Sequence, residues 1–141
     1  MTPTPFFSEA WFTLVAEVLQ PLAAASPSAP MFSLVELYPT APIEILNPGL
    51  NPGFCLIFEA ATARVERGVA PDQRADVIIH AHWDDAARSA QLRYGPAYDA
   101  LTAERLAAGR LSVIGVIPPV IAGLLRQAHD TIADHTLPWS A

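Results

Sequence analysis

Ala75-Asp76-Val77-Ile78-Ile79-His80-Ala81-His82 runs directly into Trp83-Asp84-Asp85-Ala86-Ala87-Arg88-Ser89, and the grammar of the chain changes at that junction. Val77, Ile78 and Ile79 are β-branched residues that suit a pleated, largely buried surface, so a strand is expected over 75–82. The next stretch is alanine-rich, with acids where the positive end of a helix favours them, and predicts a helix over 83–92. Upstream the signals are those of strands. Residues 54–59 (Phe-Cys-Leu-Ile-Phe-Glu) form an apolar strand, and over 62–67 Ala63 and Val65 alternate with Arg64 and Glu66, as in a sheet with one wet face. The run 47–53 (Asn-Pro-Gly-Leu-Asn-Pro-Gly) has the chemistry of a tight reversal. Residues 32–38 and 43–46 read as short extended pieces divided by Pro39 and Pro42, although Phe32-Ser33-Leu34-Val35-Glu36-Leu37 could also be one helical turn.

Helices flank this strand-rich middle. Ser8 is a good N-cap and Glu9 suits the first turn, and Trp11, Phe12, Val15, Val18, Leu19 and Leu22 recur at helical spacing. Pro21 fits only the last turn or beyond, and 23–30 (Ala-Ala-Ala-Ser-Pro-Ser-Ala-Pro) reads as a linker. Downstream, Tyr94-Gly95-Pro96 breaks the helix over 83–92, and Pro96 opens another that ends before Gly109. A last strand is expected over 110–116. Pro118-Pro119 then starts a final helix whose stripe is Val120, Ile121, Leu124, Leu125, Ala128 and Ile132, with Arg126, Gln127, Asp130 and Asp134 opposite. The resulting fold class is α+β: an antiparallel-rich sheet of about five strands, helices packed on one face, and a long amphipathic C-terminal helix.

Composition narrows the function. At 141 residues, 52% hydrophobic and 16% charged, with a mean hydropathy of +0.30, the chain is globular and fits one domain. Within it, 1–30 is expected to be the N-terminal helix and Pro/Ala-rich linker, 31–136 the α+β domain and 137–141 a tail. All eight basic residues are arginines and the net charge is −6, a poor match to nucleic acid or anionic headgroups. No apolar run reaches the ~18 residues of a membrane span. Met1-Thr2-Pro3-Thr4-Pro5 carries no basic residue and no signal-like apolar block, so a cytoplasmic protein without stable membrane insertion is expected. Cys55 is the single cysteine; it excludes an internal disulfide and a cysteine-based zinc cluster, and inside 54–58 it reads as a small core residue.

No self-sufficient catalytic centre is visible. His80 and His82 would share a strand face and could hold a metal, but no glutamate follows, and a third ligand would have to be His129 or His135 on the last helix. His82 is also suitably placed to precede a helix. Ser89 and Ser112 lack a nucleophile-elbow setting. Gly49-Leu50-Asn51-Pro52-Gly53 lacks the following helix and lysine of a phosphate cradle. Asp84 and Asp85 are accounted for by the helix start. Arg64, Arg67 and Arg74 are expected on the wet face and turns. The expectation is therefore no enzyme, no cofactor and no metal; a small enzyme of a cone-shaped α+β type using His80 or His82 is the catalytic alternative.

From Ala75 onward the chain resembles the sterol-carrier-protein type-two family. Ala75-Asp76-Val77-Ile78-Ile79 is similar to that family's "ADVTL"-like strand, with Trp83-Asp84-Asp85 in place of its acidic helix start. Ala107-Ala108-Gly109-Arg110-Leu111-Ser112-Val113-Ile114-Gly115 is similar to its "sGrlkveGd" strand, and a closing amphipathic helix follows at the expected distance. Residues 54–69 fit its central hairpin at the level of pattern, and the resemblance spans roughly 31–134. Two departures stand near the region where a ligand would enter: Val116 replaces the usual acid after Gly115, and 93–98 (Arg-Tyr-Gly-Pro-Ala-Tyr) is more aromatic than the family's inter-helix segment.

The resemblance implies a tunnel between sheet and helices for fatty acyl chains, sterols or similar lipids. Such a pocket needs mostly apolar walls. Its candidate lining is Phe54, Leu56 and Phe58 on one strand, Val77 and Ile79 on another, and Ile114 and Val116 on the last, with Ile121, Leu124, Leu125 and Ile132 as a lid. By type and spacing alone, each of these could equally fill a solid core. The rival to an apolar-ligand carrier is a module that self-associates or docks a partner through Trp11, Phe12 and the N-terminal helix.

Overall fold

The strand expected over 75–82 forms, and it stands next to the central strand of a sheet. In the computed structural model, which describes residues 1–42, 45 and 48–140, the order of elements is β1 (Thr4–Pro5), α1 (Glu9–Ala24), β2 (Phe32–Leu37), β3 (Asn51–Glu59), β4 (Thr62–Val69), β5 (Val77–Ala81), α2 (Trp83–Ser89), α3 (Pro96–Ala107), β6 (Leu111–Ile114), α4 (Pro119–Asp134) and β7 (Thr136–Leu137). The extended piece expected over 43–46 lies, Ile45 apart, outside the described residues.

Among the described residues the main sheet has five strands in the order β4-β3-β2-β5-β6. It is mixed: β2 runs parallel to β5, and the β2–β3, β3–β4 and β5–β6 pairs are antiparallel. Leu34 stands opposite Leu56 on one side and Val77 on the other, and Leu56 stands opposite Val65, so one row of apolar side chains crosses the sheet. All of these face the helices. The outer face keeps only a small cluster of Val35, Cys55 and Val69, with Leu37, Ile57 and Ala75 at its edge. Cys55 is buried there, and loss of solvation pushes its thiol above the ordinary range.

Helix α1 begins where Ser8 accepts a hydrogen bond from the Trp11 amide, and Pro21 stands in its last turn. Its apolar face belongs to the main core: Trp11, Phe12, Leu14, Val15, Val18 and Leu19 are all buried against the sheet and α4. The helix of the N-terminal segment 1–30 thus packs into the same core as the sheet, because its wide apolar stripe has a sheet face to cover. Gln20 ties it to β4 by accepting the Ala63 amide at 2.9 Å. The two-residue strands β1 and β7 pair in parallel, and Trp11 Nε1 donates to Thr136 Oγ1 at 3.0 Å. Phe6 and Phe7, to which the sequence reading assigned no role, enter an aromatic cluster with Trp11, Phe12, Tyr38 and Trp83. Arg67, expected on the wet face, instead donates to the Phe7 carbonyl and lies over the Phe7 ring. No helix among the described residues is long and apolar enough to cross a membrane.

Two contacts seat the second half of the chain. Arg110 at the start of β6 donates to Asp85 at 2.8 Å and to Glu104 at 3.1 Å, joining α2, α3 and the last strand of the sheet. Gly115, just past β6, has φ +98, and a Cβ there would lie 2.3 Å from the Asp76 carbonyl oxygen. Only glycine permits that approach.

Candidate functional site

Helix α1 lies over the β4 side of the sheet and α3 approaches β6, with α4 packed against α1. Between these helices and the inward face of the sheet remains a cavity of about 350 Å³. That is near the small end of the roughly 300–1,000 Å³ typical of small-molecule sites. Most of its wall is apolar: Val15 and Leu19 from α1, Leu34, Phe54, Leu56 and Val65 from the sheet, Leu125 and Ile132 from α4. Phe6, Trp11 and Tyr38 supply an aromatic wall.

The expected lining residues fall into three groups. Phe54, Leu56, Ile79, Leu125 and Ile132 line the cavity. Phe58, Val77, Ile121 and Leu124 lie in the packed core beside it, all nearly fully buried. Ile114 and Val116 are on the outside, 61% and 85% exposed. The register explains the last case. Ile114 pairs with Ile78 on the outer face and Val113 with Ile79 on the inner one, so Val113 lines the cavity. A strand presents alternate residues to alternate faces, and a displacement of one position exchanges them.

The cavity also has a polar flank that the sequence reading missed. Glu36 on β2 is flanked by Phe54 and Ile79 on the helix side of the sheet. It is surrounded by protein and opens onto the cavity, which leaves it half-buried by surface area. Desolvation raises its carboxyl above the ordinary range, the charge of Arg105 and the Tyr38 hydroxyl acting in the opposite direction. Tyr38, buried and beside Glu36, is pushed well above the ordinary phenol range, first by burial and then by that carboxylate. Tyr98 is pushed up to about 12 by burial, with Tyr94 and Glu36 adding to it. Tyr98, Thr102 and Arg105 succeed one another about a helical turn apart on α3 and all line the cavity. Tyr94 and Tyr98 close around His129 of α4, whose Nε2 lies 2.6 Å from the Leu92 carbonyl oxygen.

Two weak signals pointed here. Glu36 alternates with Phe32, Leu34 and Tyr38, so it shares their face once β2 is known to be a strand. The aromatic segment 93–98 stood out as unusual. Nothing local distinguishes Arg105 from a surface arginine. The histidine pair lies elsewhere: His80 is exposed on the outer face opposite Ser112, His82 is the N-cap residue of α2, and neither lines the cavity. Among the described residues no group of three or more His, Cys, Asp or Glu side chains could hold a metal ion.

No protein-family model matches the chain, and no curated protein matches it significantly. Solved structures do. The solution structure of TT1886 from Thermus thermophilus, a conserved hypothetical protein described as a possible sterol carrier protein, superposes with a TM-score of 0.58 at 16% identity, covering 99% of this chain and 97% of that one. The crystal structure of a sterol carrier protein 2 superposes with a TM-score of 0.51 at 17% identity, covering 90% and 94%. The chain therefore shares the sterol-carrier-protein-2 fold over most of its length.

Proposed function

We propose that the protein binds an apolar small molecule, a fatty acyl chain or similar lipid, between its sheet and helices and carries it without transforming it. The observation that bears most weight is the cavity of about 350 Å³, with apolar walls from α1, the sheet and α4. Natural cores are packed to crystal density, so an apolar pocket of this size between the layers departs from ordinary packing. The fold it shares with a protein named for sterol carriage supports the same reading. Phe54, Leu56, Ile79, Leu125 and Ile132 are the proposed contacts among the residues singled out from sequence. Burying an acyl chain contributes ~0.8 kcal/mol per methylene, enough for micromolar affinity from the tail alone. Native mass spectrometry of freshly purified protein should reveal a co-purified ligand or uptake of added long-chain lipid. The Leu125→Trp variant, which fills the cavity, should lower that uptake by about tenfold or more while the protein stays folded. Absence of binding across lipid classes would end this reading.

A second reading, self-association, is favoured by exposed Ile114, Val116 and Val120 around the end of β6 and the start of α4. It would use that face and not Trp11 and Phe12, which are buried. Sedimentation at increasing concentration separates the two readings, since self-association requires a species larger than the monomer.

A further inference from the structure

The polar groups of the cavity are not scattered around its wall. Glu36 and Tyr38 come from β2 and its end, Tyr98, Thr102 and Arg105 from α3, Ser89 from α2, Tyr94 from the segment before α3 and His129 from α4, whereas the flank under α1 is built by Val15, Leu19, Leu56 and Val65. The cavity therefore has a greasy end and a charged end. Among the described residues Arg105 is the buried cation: it keeps 4% of its surface, and its Nε has no hydrogen-bond partner. A buried guanidinium N–H left unpaired is unfavourable, and because Arg105 lines the cavity, a bound acceptor would meet its guanidinium.

We propose that Arg105, with Glu36 and Tyr98 beside it, forms a buried head-group site, and that the ligand is a single-chain amphiphile ending in a carboxyl group, its tail toward α1 and its head at Arg105. This rests on the cavity being a ligand site and adds the chemical class of the ligand. The planar fork of an arginine matches a carboxylate in two parallel hydrogen bonds. A phosphate monoester would bring nearly two negative charges toward one cation that already faces a carboxyl group. A hydroxyl head would offer one acceptor oxygen where the guanidinium fork takes two.

Charge counting gives the proposal a second consequence. The ionisable groups facing the site are Glu36 of β2, Tyr38 just after β2, Tyr98 and Arg105 of α3, Tyr94 just before α3, and His129 of α4. A bound carboxyl adds a second acid beside a single buried cation. Two carboxyl groups so placed retain one proton between them. Once pH is high enough to ionise Glu36 in the free protein, binding of the carboxylate thus takes up a proton, and affinity falls as pH rises further.

The test compares dodecanoate with methyl dodecanoate, which has the same tail and no charge, by calorimetry on the wild-type, Arg105→Met and Glu36→Gln proteins. Near pH 6 the wild type should favour the acid by about tenfold or more. Raising the pH toward 9 should erode that preference. Arg105→Met should abolish the preference and keep the affinity for the ester. Glu36→Gln should hold dodecanoate with little dependence on pH. Equal affinity of the wild type for acid and ester, or a preference that survives in Arg105→Met, overturns the head-group site while leaving the cavity reading intact. Failure of the wild type to bind either compound sinks the cavity reading itself. Thermal melts accompany each variant; should Arg105→Met not fold, the pH dependence of Glu36→Gln decides, and an unchanged dependence rejects the proposal.

Discussion

Glu36 sets a condition on stability at the scale of one residue. Its carboxyl group is held above the ordinary 4.5 by burial, so the folded protein keeps that proton to higher pH than the unfolded chain does. Below about pH 4.5 both states are protonated and the group is neutral in its effect. As pH rises through that value the unfolded chain releases the proton first, and folding loses at most about 1.4 kcal/mol per pH unit until the folded carboxyl ionises too. The Glu36→Gln protein should lack this loss. Melting temperatures of the two proteins, compared from acid to neutral pH, should diverge above that range with the variant the more stable. Parallel curves would mean that Glu36 is better solvated than its surroundings imply.

At the scale of elements, the question is what α1 is for. Its apolar face reads from sequence as either core or docking surface, and in the fold it covers the sheet beside β4 and meets α4. Trp11 ties α1 to both ends of the chain: it is buried, touches Phe6 at a centroid distance of 5.0 Å and donates to Thr136. Trp11→Ala should cost about 3–5 kcal/mol, read as a lowered midpoint in urea. An appended arm would lose no more than about 0.5 kcal/mol from the same substitution. The pairing of β1 with β7 belongs to this scale as well. Two residues are too few to show any periodicity, so no pattern in the sequence announces it.

At the scale of the whole molecule, a cavity between packed layers means that apolar area is left unburied until a ligand arrives. A ligand that binds only the folded state adds about 2.7 kcal/mol at a concentration one hundred times its dissociation constant. Scanning calorimetry with a saturating amphiphile should therefore raise the melting temperature by several degrees, and the folded protein should become more resistant to proteolysis. Leu125→Trp should lose no more than about 3 kcal/mol of stability and should gain nothing from the ligand. A ligand-induced rise of the same size in that variant would locate the binding somewhere other than the cavity.

How much of this was legible beforehand divides along physical lines. Periodicity, capping and turn chemistry act within a few residues, and they determined most elements: the hairpin of β3 and β4, the junction of β5 with α2, the glycine after α3 and, apart from exposed Val120, the stripe of α4. Together with the segregation of strands from helices they determined the α+β class. Whether Leu56 or Phe58 lines a void, and whether Val113 or Ile114 faces it, depends on register and on how the helices sit over the sheet, and those are settled by contacts between residues far apart in the chain. Arg105 is the clearest case. An arginine on a short helix looks solvated in any local window, and only the approach of α3 to the face of β2 that carries Glu36 buries it at the head of an apolar cavity.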